Sequence, residues 1–246
     1  MSRYAPAGVH YSFGPGPISP AVKWIILANV GMFLLTFVFP AIAVYLGLSP
    51  AAVLQQLWIW QVVTYMFLHV DMFHILFNML GIWMFGVELE RMWGTRNFLR
   101  YYAVTGGGAA LTTVVASLLP FAVTAPIYYS LTMGASGALY GLLLAFATYY
   151  PNRPILMFLL FPIPAKYFVL IIGAISFLSS VGGGRDGVAH AAHLGGLLFG
   201  YLYLHRGRGG LSAEIKYRYL KWKMNRMRRR FDVYSGGRSD WDRNVH

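Results

Sequence analysis

Apolar residues fill six long runs of this chain, at about 23–46, 72–90, 98–119, 134–150, 166–181 and 188–205. Each approaches the roughly 20 residues a helix needs to cross a bilayer. The runs therefore predict six spanning helices. Met1–Pro20 is rich in Pro, Gly, Ser and Tyr and reads as a disordered leader. It has no basic start followed by a short apolar stretch, so it does not read as a signal peptide, and the first run reads as a retained helix. Ser49–Val70 is aromatic and uncharged and contains Leu57-Trp58-Ile59-Trp60. Trp favours the membrane interface, so this stretch is expected to lie on or partly in the outer leaflet. Pro151-Asn152-Arg153-Pro154 ends the fourth run, and Pro162 and Pro164 keep the next stretch from being one clean helix. There is no repeat of fixed period.

Lys and Arg loops set the orientation of such a bundle. With the N-terminus inside, Arg3, Lys23, Arg91, Arg96, Arg100, Arg153, Lys166 and the cations of the tail all fall inside, and Arg185 alone falls outside. The reading is thus an all-α membrane protein with six transmembrane helices, N-in and C-in. It has a leader over 1–22, a core over 23–205 and a basic cytoplasmic tail over 206–246.

Composition agrees: 57% of the 246 residues are hydrophobic and 11% charged, too few charges to cover a water-facing surface. The net charge of +12 is concentrated in the tail. Beside a membrane core that implies anionic lipid rather than nucleic acid. Arg226-Met227-Arg228-Arg229-Arg230, with Tyr217, Tyr219 and Trp222, could form a basic amphipathic helix on the inner leaflet. No Cys is present, which excludes disulfides and thiolate metal sites.

In this topology the second, fourth and sixth helices all run from outside to inside, and each carries unusual polar residues near its start. They are His74 and Asn78, then Ser136, then His190 and His193. Polar groups in a membrane core are costly and usually line a site. His74 and Asn78 are four apart and share a face, as do Ser136 and Tyr140. His193 lies on one stripe with Gly196 and Gly200, while Gly137 and Gly141 form a small-residue pair on the fourth helix. Packing through these glycines would bring Ser136 and His193 within hydrogen-bond reach.

A serine hydroxyl needs a neighbouring base, and imidazole is the usual one. The oxyanion that forms on attack needs preorganised donors. Asn78, His74 and the free amides at the start of the fourth helix can supply them. Asp71 and Asp186 lie only in flanking loops, so a Ser136–His193 dyad is expected rather than a triad. Tyr140 could hold the imidazole by stacking.

These residues bring the chain close to a known family. Met133-Gly134-Ala135-Ser136-Gly137-Ala138-Leu139-Tyr140-Gly141 resembles the Gly-x-Ser-Gly nucleophile motif of rhomboid intramembrane serine proteases. His69, His74 and Asn78 resemble that family's His/Asn motif. Ala192-His193-Leu194-Gly195-Gly196, followed by Gly200, resembles its catalytic-His helix, and Glu88–Gly94 the segment closing its second helix. The resemblance covers about 23–205.

It implies Ser136 as nucleophile and His193 as base. His74, Asn78 and the Ser136 amide would be the oxyanion donors, with Tyr140, Gly134, Gly137 and Gly196 in support and no cofactor or metal. Substrates would be single-pass membrane proteins cut near the outer edge of their helix. The fifth helix and the Gly182-Gly183-Gly184 loop would form a mobile gate. The setting would be a prokaryotic cell membrane, with the site toward the outer face. One departure stands in the outer loop, where Trp60-Gln61 replaces the family's Trp-Arg. That leaves open how the loop is anchored, though no loss of activity is expected.

Taken singly, these residues have plainer explanations. Ser in a membrane helix often bonds to the i−4 carbonyl, a lone His or Asn commonly packs between helices, and Trp83 reads as a packing aromatic. His69 reads as a stabiliser of the outer loop, His190 stays outside the catalytic set, and Glu88, Glu90 and Arg91 close the second helix. Two other functions stand against the protease reading. One is an inactive relative that binds membrane proteins. The other is a haem or metal protein using His74 and His193, which would leave Ser136 without a role.

Overall fold

The computed structural model describes residues 14–121, 124–157, 160–181 and 190–206. The chain divides into two compact units, Met1–Leu204 and His205–His246. Of the second unit, His205 and Arg206 belong to the basic last turn of a helix; the architecture below is that of the first. The expectations for the start of the leader, the 182–184 glycines, Arg185, Asp186 and the tail beyond 206 lie outside the described residues.

Helix α1 (Pro20–Val38) starts with Pro in its first turn, where the missing N–H costs nothing. It stops before Pro40. The expected single run over 23–46 is therefore two elements, α1 and the short α2 (Ala41–Leu46), because a proline ring in a helix interior clashes with the preceding turn and removes a hydrogen bond. The aromatic stretch that follows folds as α3 (Pro50–Gln55), α4 (Gln61–Thr64) and a 3₁₀ turn at Tyr65–Phe67. The ring of Trp58 stacks on Trp60 at 5.7 Å and packs against Tyr45 at 5.0 Å.

The second long helix runs through α5 (Met72–Gly81), a π-helical turn at Ile82–Gly86 and α6 (Val87–Trp93). After a sharp break at Gly94 come α7 (Thr95–Ser117) and α8 (Ser136–Tyr149). The otherwise helical pattern is then interrupted by an antiparallel hairpin, β1 (Pro154–Met157) with β2 (Phe161–Pro164), pairing Ile155 with Ile163. The fold is thus not purely α. The prolines that bar a helix at 162 and 164 are compatible with this short, two-stranded edge. Helices α9 (Ala165–Val181) and α10 (His190–Arg206) complete the described chain.

Val22, Leu48, Tyr65, Ile82, Leu89, Phe98, Tyr101 and Leu142 form the core. The outside is apolar too: Phe37 is 81% exposed and Leu170 and Leu178 67% each. A soluble monomer does not present continuous apolar faces of this kind. Pro20–Val38 and Met72–Trp93 are each long and apolar enough to cross a membrane. Apolar helices around an apolar core make this a membrane bundle.

Polar groups inside such a bundle must be matched. Glu90 is 3% exposed. Its carboxylate accepts from the amides of Ala21 and Val22 at 2.9 and 3.1 Å, from Thr95 Oγ1 at 2.7 Å and from Ser19 Oγ. It thereby caps the N-terminus of α1, where free amides and the helix dipole favour an anion. Its neighbour Arg91 donates to the carbonyls of Pro15 and Pro17, so this junction fixes the chain entering the first helix. Glu88 pairs with half-exposed Arg153, a contact of small energetic weight.

The aromatic loop after α2 has an equivalent anchor in fully buried Gln61. Its Oε1 accepts from the Ser49 amide at 3.0 Å, and its Nε2 donates to the carbonyls of Tyr45 and Val44 at 3.2 and 3.4 Å. An amide offers both an acceptor and two donors, and this site uses both kinds. Gln61→Leu removes the partner of the Ser49 amide and the Val44 carbonyl, while the Tyr45 carbonyl keeps its bond from Trp60 Nε1 at 3.1 Å. We expect a loss of about 1–3 kcal/mol, read as a lower unfolding midpoint in detergent. An unchanged midpoint would show that the loop is held elsewhere.

His69, in the same loop, is buried edge-on against His74 at 4.9 Å. Burial, reinforced by repulsion from His74 and opposed by Asp71, lowers its pKa from 6.5 to about 3. The unfolded imidazole takes up a proton near 6.5, whereas the folded one stays neutral down to about 3. Across that window the unfolded state binds more protons, so stability falls as pH drops. Unfolding curves across this range should show the decline, and His69→Phe should flatten part of it.

Candidate active site

Ser136 is the first residue of α8, so its side chain stands where helical amides lack intrahelical partners. The approach to it is tightly built. Thr132 pairs with Leu48 through a β-bridge, and the Gly134 amide donates to the Tyr65 carbonyl at 3.0 Å. Gly134 has φ +125, a conformation L side chains avoid, and a Cβ there would lie 2.7 Å from His74 Nε2. Glycine is required on both grounds. That same hypothetical Cβ would stand 3.7 Å from Ser136 Oγ. His74 Nε2 and Ser136 Oγ therefore flank a single small space.

The imidazole nearest Ser136 arrives on α10. His193, 8% exposed, places Nε2 2.8 Å from Ser136 Oγ. This contact arises from small residues in the helix seam. A Cβ on Gly196 would sit 1.9 Å from the Gly137 carbonyl oxygen, and one on Gly200 would sit 3.3 Å from Gly141 Cα. A Cβ on Gly137 would meet Ala109 on α7 at 2.6 Å. Tyr140, one turn into α8, stacks on the His193 ring with centroids 4.2 Å apart and planes 8° from parallel. Its hydroxyl accepts from Ser176 Oγ of α9 at 3.3 Å.

The first turn of α5 is fixed by Asp71, whose carboxylate accepts from the His74 amide at 2.8 Å. The Val70 amide donates to His74 Nδ1 at 3.5 Å. This favours the tautomer with its proton on Nε2, the nitrogen that faces Gly134. Asn78 is one turn further along, 4% exposed, and its Nδ2 donates to the His74 carbonyl at 2.8 Å. That bond uses one of the two amide hydrogens and leaves the other.

Ser136, His193, Tyr140 and His74 thus converge at the start of α8, with Gly134, Gly137 and Gly196 permitting the approach and Asn78 on the next turn below His74. His190 lies edge-on to His193 at 6.2 Å. Such an arrangement can activate a hydroxyl and offer N–H groups to a developing oxyanion. Two residues escape a reading of the sequence. Tyr65 supplies the carbonyl that holds Gly134, and Ser176 bonds Tyr140. Neither has a periodic or compositional signal, since each acts through a contact distant in sequence.

Known proteins resemble the chain over the stretch that holds this site. The Rhomboid domain family matches residues 56–207. The chain is 35% identical over 145 residues to "Rhomboid protein 1, mitochondrial" of Saccharomyces cerevisiae, covering 56% of this chain and 38% of that protein. It is 32% identical over 143 residues to "Rhomboid protease GluP" of Bacillus subtilis, covering 58% and 25%. It is 31% identical over 161 residues to "Rhomboid protease GlpG" of Haemophilus influenzae, covering 65% and 75%. The chain therefore spans well under two thirds of the length of some of these relatives and three quarters of another. With the domain match taking in most of the chain and its helices forming a membrane bundle, the protein belongs to the rhomboid family.

Proposed function

We propose that this chain is an intramembrane serine protease in which Ser136 and His193 form the catalytic dyad. The observation that carries the reading is the 2.8 Å contact between Ser136 Oγ and His193 Nε2. Ser136 attacks the scissile carbonyl while His193 takes its proton and passes it to the leaving amine. The acyl-enzyme is then hydrolysed by water activated by the same imidazole. The Ser136 amide, His74 Nε2–H and the remaining Asn78 amide hydrogen bind the oxyanion. Tyr140 holds the imidazole plane.

The proposed setting is a six-span bundle, N-in and C-in, in a prokaryotic cell membrane. Relatives named as rhomboid proteases occur in Bacillus subtilis and Providencia stuartii, and the cation-rich loops favour this orientation. Helix length supports a site sunk below the outer surface. The 14 residues of α8 rise about 21 Å against about 30 Å of hydrocarbon. With Pro151–Arg153 at the inner boundary, Ser136 starts roughly 9 Å inside the apolar layer.

A substrate is then a single-pass membrane protein whose helix unwinds at its outer end, with the fifth helix as the gate. The 23–205 core carries this activity, with the leader and basic tail outside it. A reading of His74 and His193 as haem ligands meets the difficulty that His193 Nε2 lies on Ser136.

Incubating the protein with a tagged transmembrane substrate in detergent should give cleavage that Ser136→Ala abolishes without loss of helical structure. A fluorophosphonate should label the wild type and not the variant. A wild type that neither cleaves nor labels would overturn the assignment in favour of a binding relative. Asn78→Ala should lower kcat on the order of 100-fold with little change in KM, as for loss of one oxyanion donor. An unchanged kcat would remove Asn78 from that role.

A further inference from the structure

Helix α9 is the most loosely seated of the long helices that come after α8. Of its 17 residues only Ala165, Val169 and Ser176 are buried, while Leu170, Ile175, Phe177 and Leu178 face outward. Ala165 and Val169 belong to an apolar cluster with Phe146 and Ile155 near the hairpin. Ser176 lies two to three turns further on and is 1% exposed. A buried hydroxyl needs a partner. Here it donates to Tyr140 Oη at 3.3 Å. The same tyrosine ring lies flat on His193, whose Nε2 is on Ser136. Three contacts therefore run in series from α9 to the nucleophile.

We infer that Ser176 is a positioning residue that latches α9 to Tyr140, so that the order of the catalytic imidazole depends on the seat of α9. The inference rests on the proposed Ser136–His193 dyad. A stacked ring fixes a plane but leaves rotation within it free. Anchoring the far end of Tyr140 restricts where that plane can lie. The bond is long for two hydroxyls and hence easily broken. Moving α9 outward breaks it, and the Tyr140 ring is then held by packing alone. Access beside α9 and readiness of the base become opposed states of one contact.

The test uses full-length protein in detergent and a small fluorophosphonate, which reacts with Ser136 without a transmembrane segment having to enter. Labelling rate and final labelled fraction are measured for wild type, Ser176→Ala, Tyr140→Phe and the double variant. Tyr140→Phe keeps the ring on His193 and breaks the same bond from the other side. Each single variant should label about three- to tenfold more slowly, the factor set by one modest hydrogen bond, and reach the same final fraction. The double variant should be no slower than either single one, because both remove one interaction.

An unchanged rate in Ser176→Ala overturns the latch, as does multiplication of the two effects in the double variant. A lowered final fraction with an unchanged rate also overturns it, since that reports lost folded protein rather than a misplaced base. A wild type that fails to label removes the dyad and the latch with it. A labelling wild type with an unaffected Ser176→Ala removes the latch alone.

Discussion

Backbone-to-backbone contact between α8 and α10 sets everything else in this molecule. At Gly196 even one methyl group would fall 1.9 Å from the Gly137 carbonyl oxygen, so the helices touch at a distance that no other residue pair permits. In lipid the hydrophobic effect does not push helices together, and close packing of small residues takes its place. The seam fixes the separation between a serine on one helix and a histidine on the other. The 2.8 Å hydrogen bond between them results from the spacing of the helix axes.

A second constraint is that buried polar groups must find partners without water. The bundle meets it at its margins. Glu90 gathers the free amides of α1, and Gln61 gathers carbonyls and an amide of the loop that follows α2. Each converts a chain terminus or loop into a fixed support. The replacement of the family's usual loop Arg by Gln61 is compatible with this. What the position needs is an acceptor and a donor at the right reach, and the amide provides both without adding a charge.

Much of this was legible in the sequence. Apart from the first, which ran on past the break at Pro40, the apolar runs marked the long helices to within a few residues, because hydropathy is a property of each segment alone. His74 with Asn78, and Ser136 with Tyr140, could be paired because helical spacing is also local. The stacking of Tyr140 on His193 was anticipated from residue type. What stayed hidden depends on contacts between distant segments. Glu90 reads from sequence as a residue ending a helix, and only the packing of α1 shows what its carboxylate binds. Ser176 is one of three serines between 176 and 180, and only its burial against Tyr140 distinguishes it. The hairpin at 154–164 was foreseen only as a place where no helix continues.

The wide turn at Ile82–Gly86 alters the phase of the second helix. In a regular α-helix Asn78 and Glu90, twelve residues apart, would point about 120° away from one another. A π-turn holds one residue more than an α-turn, which takes back about 100° of that rotation. Both side chains can then face inward, as their burial requires. One helix thereby serves two unrelated polar sites on the same side, and a helical wheel drawn from the sequence alone would assign them to different faces. Removing a single residue from this turn would restore a regular helix with the two side chains eleven steps apart, about 20° from alignment, so Glu90 would still face α1. Forcing the turn into α-geometry with all its residues kept is what would swing Glu90 away from His74 and Asn78.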